Sequence, residues 1–315
     1  MQRADSATPA MAAKYWNLFV NRLAHTVQSQ KPGDDGKHYY YKPTGGHRLS
    51  LETIQQHLNG QLTIALYAIN PKTQRSKWVA IDADYESALE DLLKLQGELR
   101  QDGVESALEK SRRGAHLWIF ADQPLLARDC RIYIYNLAMR LRVPVKGGAG
   151  LAEGIEVFPR QDELRAGEFG NAIRGPLGIH RAVRKRYWFY SADYRLEAQL
   201  EYLSSLRKIT EKEMIGCVAG LTMPEEFQAR SKAVLPPYNP NRREFRILDH
   251  VGSVRCRSGN YWTKCPSCAQ QGRDRSGDNL AVCIADPRKY KCWAGCSKEM
   301  IRAAVGCPIR TRIES

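Results

Sequence analysis

The sequence predicts an α+β fold, in which a domain of mixed helices and strands is followed by a helical segment and a small cysteine-rich module. Three observations carry this prediction. Helical and strand-like apolar spacing alternate through roughly the first 190 residues. Helical spacing then continues over about 194–227, before a stretch rich in Pro, Asn and Arg at 236–246. Seven of the nine cysteines lie after residue 250. We therefore expect three parts, over residues 10–190, 191–249 and 250–307.

The first part begins with apolar residues at helical spacing, which predict a helix over residues 12–30. Ser50 is a suitable N-cap for a short helix that ends at Gly60. Apolar runs between turn signals predict the remaining elements. These are strands over 62–69, 77–85, 104–110, 115–120 and 155–158, and helices over 86–101 and 126–142.

The charge of the chain points to a polyanionic partner. Lys and Arg number 48 and Asp and Glu 34, so the formal net charge is +14. Nucleic acid is favoured over a membrane surface, because no basic amphipathic helix stands out. The longest apolar run, Leu62 to Ile69, is too short to span a bilayer, and no signal peptide is visible. We expect a cytoplasmic, nucleoid-associated protein with no membrane partner.

Two aspartates lie at the end of a predicted strand, in the segment WVAIDADY. Because side chains alternate along a strand, Asp82 and Asp84 project from one face. Adjacent carboxylates repel unless a cation lies between them, and Mg²⁺ or Mn²⁺ relieves that repulsion. A bare pair of this kind is also common at a solvated strand end, so the pair needs support from other elements.

Two further segments carry candidate polar residues. In SRRGAHLWIF, His116 lies in an apolar strand after Arg112, Arg113 and Gly114, where it could meet a triphosphate or simply be a core histidine. In IEVFPRQ, Glu156 could complete a three-carboxylate cage for two divalent ions, although a surface position is the commoner place for such a residue. The segment GNAIRGPLGIHR follows, with basic and amide side chains that suit phosphates: Asn171, Arg174, His180 and Arg181.

Together these elements resemble the archaeo-eukaryotic primase superfamily, the primase-polymerases. In its bacterial and mobile-element branch, SGxGAHxW-like, FPxQ and GNxIxxPLG segments recur, and this sequence has SRRGAHLW, FPRQ and GNAIRGPLG. The resemblance covers about residues 12–190. The residue two before the histidine is Gly114 rather than serine, which leaves the role of Ser111 open. The third acid is Glu156 rather than the commoner aspartate.

The resemblance implies a catalytic core with an RRM-like sheet and template-directed nucleotidyl transfer. Asp82, Asp84 and Glu156 would bind two Mg²⁺ or Mn²⁺ ions, and His116 would join them in the catalytic group. Nucleoside triphosphates would be the substrates. Their phosphates would meet His116 and a group of further polar residues, namely Ser111, Arg112, Arg113, Asn171, Arg174 and His180.

The cysteine-rich module contains two local pairs of metal-ligand spacing. Cys265 and Cys268 form a CPSC pair, and Cys292 and Cys296 form a CWAGC pair. Four thiolates in two pairs suit tetrahedral Zn²⁺, which supplies folding energy to a small module. Cys256 and Cys283 remain alternative ligands.

The module resembles the zinc ribbon of bacterial DnaG-type primases, in which the ribbon contacts the template. A structural zinc knob and a protein-contact module are the alternatives. The ribbon's candidate stacking residues are Trp262, Tyr290 and Trp293.

The sequence thus predicts a DNA primase or primase-polymerase that acts on a single-stranded DNA template. Because the sequence has no GxxxxGK[ST] loop, a separate helicase or replication protein would have to unwind the duplex. Three alternatives stay open: a repair or gap-filling polymerase that only extends primers, a non-catalytic replication-initiator DNA-binding protein, and a metal-dependent nuclease, for which nothing else around the carboxylates gives support. Nothing in the sequence selects ribonucleotides or deoxynucleotides.

Overall fold

The computed structural model divides the chain into two compact units, Met1–Ala229 and Arg230–Ser315. They are called the first and second unit below. The structure describes residues 6–33, 36–43, 45, 47–147, 151, 153–165, 167–228, 238–239, 244–257, 259–272 and 274–309. Most of the predicted linker over 236–246 lies outside these residues. None of the described helices is both long and apolar enough to span a bilayer.

The first unit combines six helices and ten strands among its described residues. In chain order they are α1 (Pro9–Phe19), β1 (His25–Gln28), β2 (Tyr40–Tyr41), α2 (Leu51–Leu58), β3 (Ile64–Tyr67), β4 (Arg75–Ala83), α3 (Ala88–Gln101), β5 (Ala107–Lys110), β6 (Ala115–Leu126), α4 (Ala127–Arg140), β7 (Glu156–Phe158), β8 (Ala172–Arg174), β9 (Ile179–His180), β10 (Lys185–Arg186), α5 (Leu196–Ser205) and α6 (Glu211–Val218).

One sheet has the strand order β5-β6-β4-β7, with all neighbours antiparallel. Along the chain, β4, α3, β5, β6, α4 and β7 form a βαββαβ unit. This is the RRM-like arrangement that the sequence predicts, and we call it the central sheet. The α+β fold class is therefore confirmed.

The central sheet separates two hydrophobic cores, because apolar residues alternate along its strands. Trp78 and Ala80 of β4 face a core shared with α1, α2, α5 and β3. Val79 and Ile81 face the opposite core, which α3 and α4 close. With both faces covered, polar side chains find room only where the strands end.

The second sheet of this unit has the order β2-β1-β3-β8. A turn joins its strand β3 to β4 of the central sheet, and an isolated bridge pairs Asn70 with Arg75 across that turn. The chain therefore passes from one sheet to the other at residues 70–75. Strand β8 lies at the edge of this sheet and ends with Arg174.

The predicted helix over 12–30 is wrong in its second half. Thr8 caps α1, Pro9 occupies its first turn, and the helix ends at Phe19. Val27, which matched the helical spacing, instead pairs with Ile64 in strand β1. A short strand with β-branched residues beside a helix can continue the helical spacing of apolar residues by chance.

The second unit contains an antiparallel sheet and two short helices among its described residues. Its elements are β11 (Arg255–Arg257), β12 (Asn260–Thr263), α7 (Pro266–Gln270), β13 (Leu280–Cys283), β14 (Tyr290–Cys292) and α8 (Lys298–Ala304). The four strands pair in chain order. Leu280, Val282 and Ile301 pack with the cysteines into a small core. The predicted domain limits at 190 and 249 stay predictions.

Candidate active site

Four polar side chains form a row across the central sheet. Asp82 of β4 pairs directly with His116 of β6 on one side and with Glu156 of β7 on the other. His116 in turn pairs with Glu109 of β5. Residues directly opposite in antiparallel strands project from the same face. The row Glu109, His116, Asp82, Glu156 therefore lies on one face, at the ends of four strands.

Glu109 is a fully buried carboxylate that binds three neighbours. Its Oε2 lies 2.8 Å from His116 Nδ1 and accepts a hydrogen bond from Trp118 Nε1 at 3.0 Å. Its Oε1 accepts from Arg174 Nη2 at 3.2 Å. Burial opposes its ionised form, but the charges of His116 and Arg174 outweigh burial and lower the pKa of Glu109. This carboxylate therefore joins the central sheet to strand β8.

His116 lies between two carboxylates. Its Nε2 is 3.3 Å from Asp82 Oδ1, opposite the contact with Glu109. Burial favours the neutral ring, but Glu109 and Asp82 outweigh it and raise the pKa of His116 to about 9. The imidazolium in turn lowers the pKa of Asp82, although burial alone would raise it. Both residues are thus charged at neutral pH.

Asp84 follows strand β4 and is held by the loop before β6. Arg113 donates from Nε to Asp84 Oδ2 at 3.2 Å, and a second guanidinium nitrogen contacts the same oxygen. Ser111 Oγ donates to Asp84 Oδ1 at 3.3 Å. Gly114 packs tightly here, because a Cβ at this position would lie 2.0 Å from the Ala83 carbonyl oxygen. The loop SRRG therefore packs against the end of β4, and this close approach requires glycine at position 114.

Glu156 is contacted by two cations. Lys146 Nζ lies 2.6 Å from its Oε1, and Arg160 Nη1 lies 3.1 Å from its Oε2. Asp82, Asp84 and Glu156 line one cavity of about 350 Å³ together with Arg113 and Lys146. The structure thus brings the three predicted acids to a common cavity and balances two of them with basic side chains.

The predicted basic residues form a second side of the site. Arg174 contacts Glu109 and lies near the ring of Tyr187, at 5.7 Å from the centroid. Burial lowers the pKa of His180, and the nearby charges of Arg174 and Arg112 lower it further. His180 Nδ1 is buried without a hydrogen-bond partner in the described structure. The charges of Arg112 and Arg174 therefore both act on the ring of His180.

Asn171 lies apart from the acids. Its Oδ1 accepts a hydrogen bond from Gln161 Nε2, and neither residue lines the cavity of the acids. Gln161 is the last residue of the FPRQ segment, and Arg160 of the same segment contacts Glu156. The segment thus connects Glu156 to the strand that carries Arg174.

The GPLG segment after Arg174 folds around a buried histidine. His57 Nε2 donates to the Pro176 carbonyl oxygen at 3.0 Å, and the Ile64 N–H points at Nδ1 from 3.3 Å. A Cβ on Gly178 would lie 1.9 Å from His57 Cε1, so only glycine fits there. This contact holds the chain between Arg174 and His180.

The three acids suit a divalent ion on chemical grounds. Asp82 Oδ1 is buried and makes no hydrogen bond in the described structure, and its charged neighbour is His116 Nε2 at 3.3 Å. Carboxylate oxygens are the ligands that Mg²⁺ and Mn²⁺ prefer. The donor set therefore suits a hard cation by its chemistry, whereas Arg113 and Lys146 pair with two of the acids and the three carboxylates do not form a compact metal-binding group in the described structure.

The second unit contains a group of four buried thiols. Cys265, Cys268, Cys292 and Cys296 have sulfur atoms within 4.8 Å of one another. Cys268 Sγ lies 3.6 Å from Cys292 Sγ and 3.4 Å from Cys296 Sγ. Tetrahedral zinc with Zn–S bonds of about 2.3 Å separates its sulfurs by about 3.8 Å. This group fits zinc, and it is the one compact metal-binding group found among the described residues.

The other cysteines of the second unit lie outside this group. Cys256 is exposed, and Cys283 and Cys307 are partly exposed. The four sulfurs that come together are those of the two predicted pairs. Asp274 supports them, because its Oδ2 accepts from the Cys265 N–H at 2.6 Å.

Sequence reasoning missed Glu109 and Lys146. Glu109 lies in a short strand whose other residues read as an ordinary edge, and only its pairing with His116 places it in the row. An acid at an inward position of a mostly apolar strand was the available signal. Lys146 gave none, because its contact with Glu156 depends on the path of the loop before β7.

A family model and two solved structures are similar to this chain. The family model described as the TOTE conflict system, archaeo-eukaryotic primase domain, matches residues 14–217. The chain is similar to the crystal structure of the catalytic domain of primase RepB′ in complex with initiator DNA, at 11% identity and a TM-score of 0.33, covering 62% of this chain and 93% of that one. It is also similar to the polymerase domain of Mycobacterium tuberculosis ligase D in complex with DNA, at 14% identity and a TM-score of 0.30, covering 67% and 87%.

No curated protein sequence matches this chain. The family match spans more than half of the 315 residues, and it includes the acid pair, the histidine strand and the Arg174 strand. The chain therefore belongs to the archaeo-eukaryotic primase domain family of the TOTE conflict system.

Proposed function

We propose that this protein is a DNA primase or primase-polymerase that joins nucleoside triphosphates on a single-stranded DNA template. The observation that carries the proposal is the polar row of the central sheet. It places a buried Glu109–His116 pair beside Asp82 and Glu156, with Arg174 reaching the same row from strand β8. Family membership supports a nucleotidyltransferase.

Asp82, Asp84 and Glu156 are the proposed ligands of the divalent ions. Bound Mg²⁺ or Mn²⁺ would supply charge neutralisation at the triphosphate and activation of the attacking hydroxyl. The residues around the acids prepare them for this task. His116 keeps Asp82 ionised, Arg113 pairs with Asp84, and Lys146 pairs with Glu156.

The triphosphate of the incoming nucleotide is proposed to lie against the basic side of the site. Arg174 is fixed by Glu109, so its guanidinium is already oriented before a phosphate arrives. Arg112 and His180 lie close by and are not paired with carboxylates in the described structure. Arg113 could exchange its bond with Asp84 for a phosphate. Ser111 and Asn171 are proposed as supporting residues. Ser111 donates a hydrogen bond to Asp84, and Asn171, which directly precedes the strand of Arg174, accepts one from Gln161.

The second unit is proposed to contact the template through one face of its sheet. Arg255, Trp262, Ala281 and Lys291 lie directly opposite one another and so share a face. Trp293 lies on that face as well. Its ring stacks on Trp262 at a centroid distance of 6.2 Å, and it is 63% exposed. Exposed aromatic rings beside cations suit a single strand. Tyr290, also predicted to stack, is instead buried in the core.

A primer-free assay tests the proposed function. The full chain is incubated with single-stranded DNA, labelled nucleotides of either sugar, and Mg²⁺ or Mn²⁺. Products from unprimed template are expected. Products from a primed template alone would favour the gap-filling alternative, and binding without incorporation on either template would favour the non-catalytic one. Duplex DNA should remain unused until a helicase is added.

A further inference from the structure

A cavity lined by basic residues lies in the first unit, and none of the proposed catalytic residues lines it. Its volume is about 640 Å³. Four separate segments line it: the end of α1 with the following loop, the region before α2, the turn between β3 and β4, and the loop before β8. It shares no lining residue with the cavity of the acids. Its cations are Arg22, Arg48, Lys72 and Lys77.

Arg22 is a half-buried cation without a carboxylate partner in the described structure. Its Nη1 donates to the Ile69 carbonyl oxygen at 3.1 Å, and its guanidinium lies 4.3 Å from the centroid of the Tyr67 ring. Its Nε is buried without a hydrogen-bond partner. Burial lowers the pKa of Arg22. A positive charge held this way is stabilised by an anion that enters the cavity.

The other cations of the cavity add further positive charge to that of Arg22. Burial lowers the pKa of Lys77, and the nearby positive charge of Lys208 lowers it further. Arg48 and Lys72 are exposed at the mouth of the cavity. The acid that lines the cavity, Glu168, accepts a hydrogen bond from the backbone of Arg165. Like charges that gather around an open volume mark a place for a ligand with several negative charges.

We propose that this cavity binds the sugar-phosphate backbone of a single nucleic-acid strand outside the catalytic cavity. Trp16 and Phe169 line it beside the cations, and Phe169 is 40% exposed. Arg22 and Lys42 lie over the Phe169 ring, at 5.4 and 3.2 Å from its centroid, so a base that stacks there would take the place of one of these cations. Asp82 lies five positions after Lys77 along β4, a distance of about 16 Å at a rise of about 3.3 Å per residue. A stacked strand covers that distance in about five nucleotides of about 3.4 Å each. This inference rests on the proposed function, because the strand would be its substrate.

Charge reversal in the full chain tests the inference. The double variant Arg48→Glu with Lys72→Glu is compared with a matched control, Arg100→Glu with Lys212→Glu. The control changes the net charge equally at exposed positions outside the cavity. Binding of a labelled single strand of about twenty nucleotides is measured by fluorescence anisotropy between about 50 and 200 mM salt. Triphosphates and divalent ions are omitted.

The cavity variant should lose at least about ten-fold in affinity, and its slope of log K against log salt should fall by about two. The control variant should lose far less. Equal losses in the two variants would overturn the inference, because the effect would then be general electrostatics. A parallel loss of binding to free triphosphate would also overturn it, since the cavity would then hold a nucleotide and not a strand. Unchanged strand binding by the cavity variant would also overturn the inference. In a separate incorporation assay, strand binding by the wild type without incorporation would contradict the proposed function alone.

Discussion

The carboxylate of Glu109 lies 2.8 Å from His116 Nδ1, inside a sheet where both side chains are almost completely buried. Through its other oxygen, Glu109 also binds Arg174 of the neighbouring sheet. A single buried acid thus holds two of the cationic side chains that face the acids and the proposed triphosphate. Its partners make it a positioning residue, because it does not line the cavity of the acids.

The first prediction concerns the energetics of this contact. Glu109→Ala leaves the Arg174 and His116 charges buried without their partner, so the free energy of unfolding should fall by about 3–5 kcal/mol. Combining Glu109→Gln with Arg174→Met removes the charges of Glu109 and Arg174, so it should lower the free energy of unfolding by less than Glu109→Ala does. Denaturant unfolding measures both variants. A double variant as unstable as Glu109→Ala would mean that the buried charge is not the cause.

The second prediction concerns Gly178. A Cβ there would overlap His57, so Gly178→Ala should lower the free energy of unfolding by about 1–3 kcal/mol. Gly97 in the middle of α3 is the control, because a Cβ there meets nothing within 4 Å. Gly97→Ala should stabilise the protein by about 0.5–1 kcal/mol. Equal effects of the two changes would contradict the close contact with His57.

The third prediction concerns pH. Burial lowers the pKa of His57 to about 3 in the folded protein, whereas an unfolded histidine titrates near about 6.5. Between these values the unfolded chain binds a proton that the folded chain does not. The stability present above about pH 6.5 is therefore lost as the pH falls, by up to about 1.4 kcal/mol per pH unit.

Unfolding of the wild type and of His57→Gln from about pH 7 to pH 5 measures this loss. Glutamine can still donate to the Pro176 carbonyl oxygen, but it does not titrate. The variant should show a shallower decline in stability over this range. Parallel declines would show that His57 does not contribute to the pH dependence.

The metal expectations of the second unit follow from its sulfur geometry. Elemental analysis should find about one zinc per chain. Cys265→Ser with Cys292→Ser should remove it and impair initiation more than extension, whereas Cys256→Ser should retain it, because Cys256 lies outside the group of four. Equal loss of initiation and extension would favour a merely structural ribbon. Zinc loss in Cys256→Ser would contradict the ligand set.

Some parts of this structure could be predicted from local sequence patterns, and others could not. The cysteine pairs were readable because each pair lies within a few residues, so their spacing alone predicts a metal-binding group. The α+β class followed from apolar periodicity. The meeting of Asp82 with Glu156 was expected only from family resemblance, since it depends on strand order and register, which local patterns do not encode.

Other features depended on contacts between distant segments. Glu109 looked like an ordinary edge residue until β5 was paired with β6. The basic cavity gathers four segments that are far apart in sequence, so no motif marks it. Val27 led to a wrong prediction, because it fits a helical spacing but belongs to a strand.

The central claim is that Asp82 and Asp84 support nucleotidyl transfer. Nucleotide incorporation by Asp82→Asn with Asp84→Asn, measured beside the wild type on single-stranded DNA with Mg²⁺ or Mn²⁺, tests it most directly. The double variant should bind the DNA as the wild type does and incorporate no nucleotide. Incorporation at the wild-type rate would contradict the assignment of this cavity as the catalytic site.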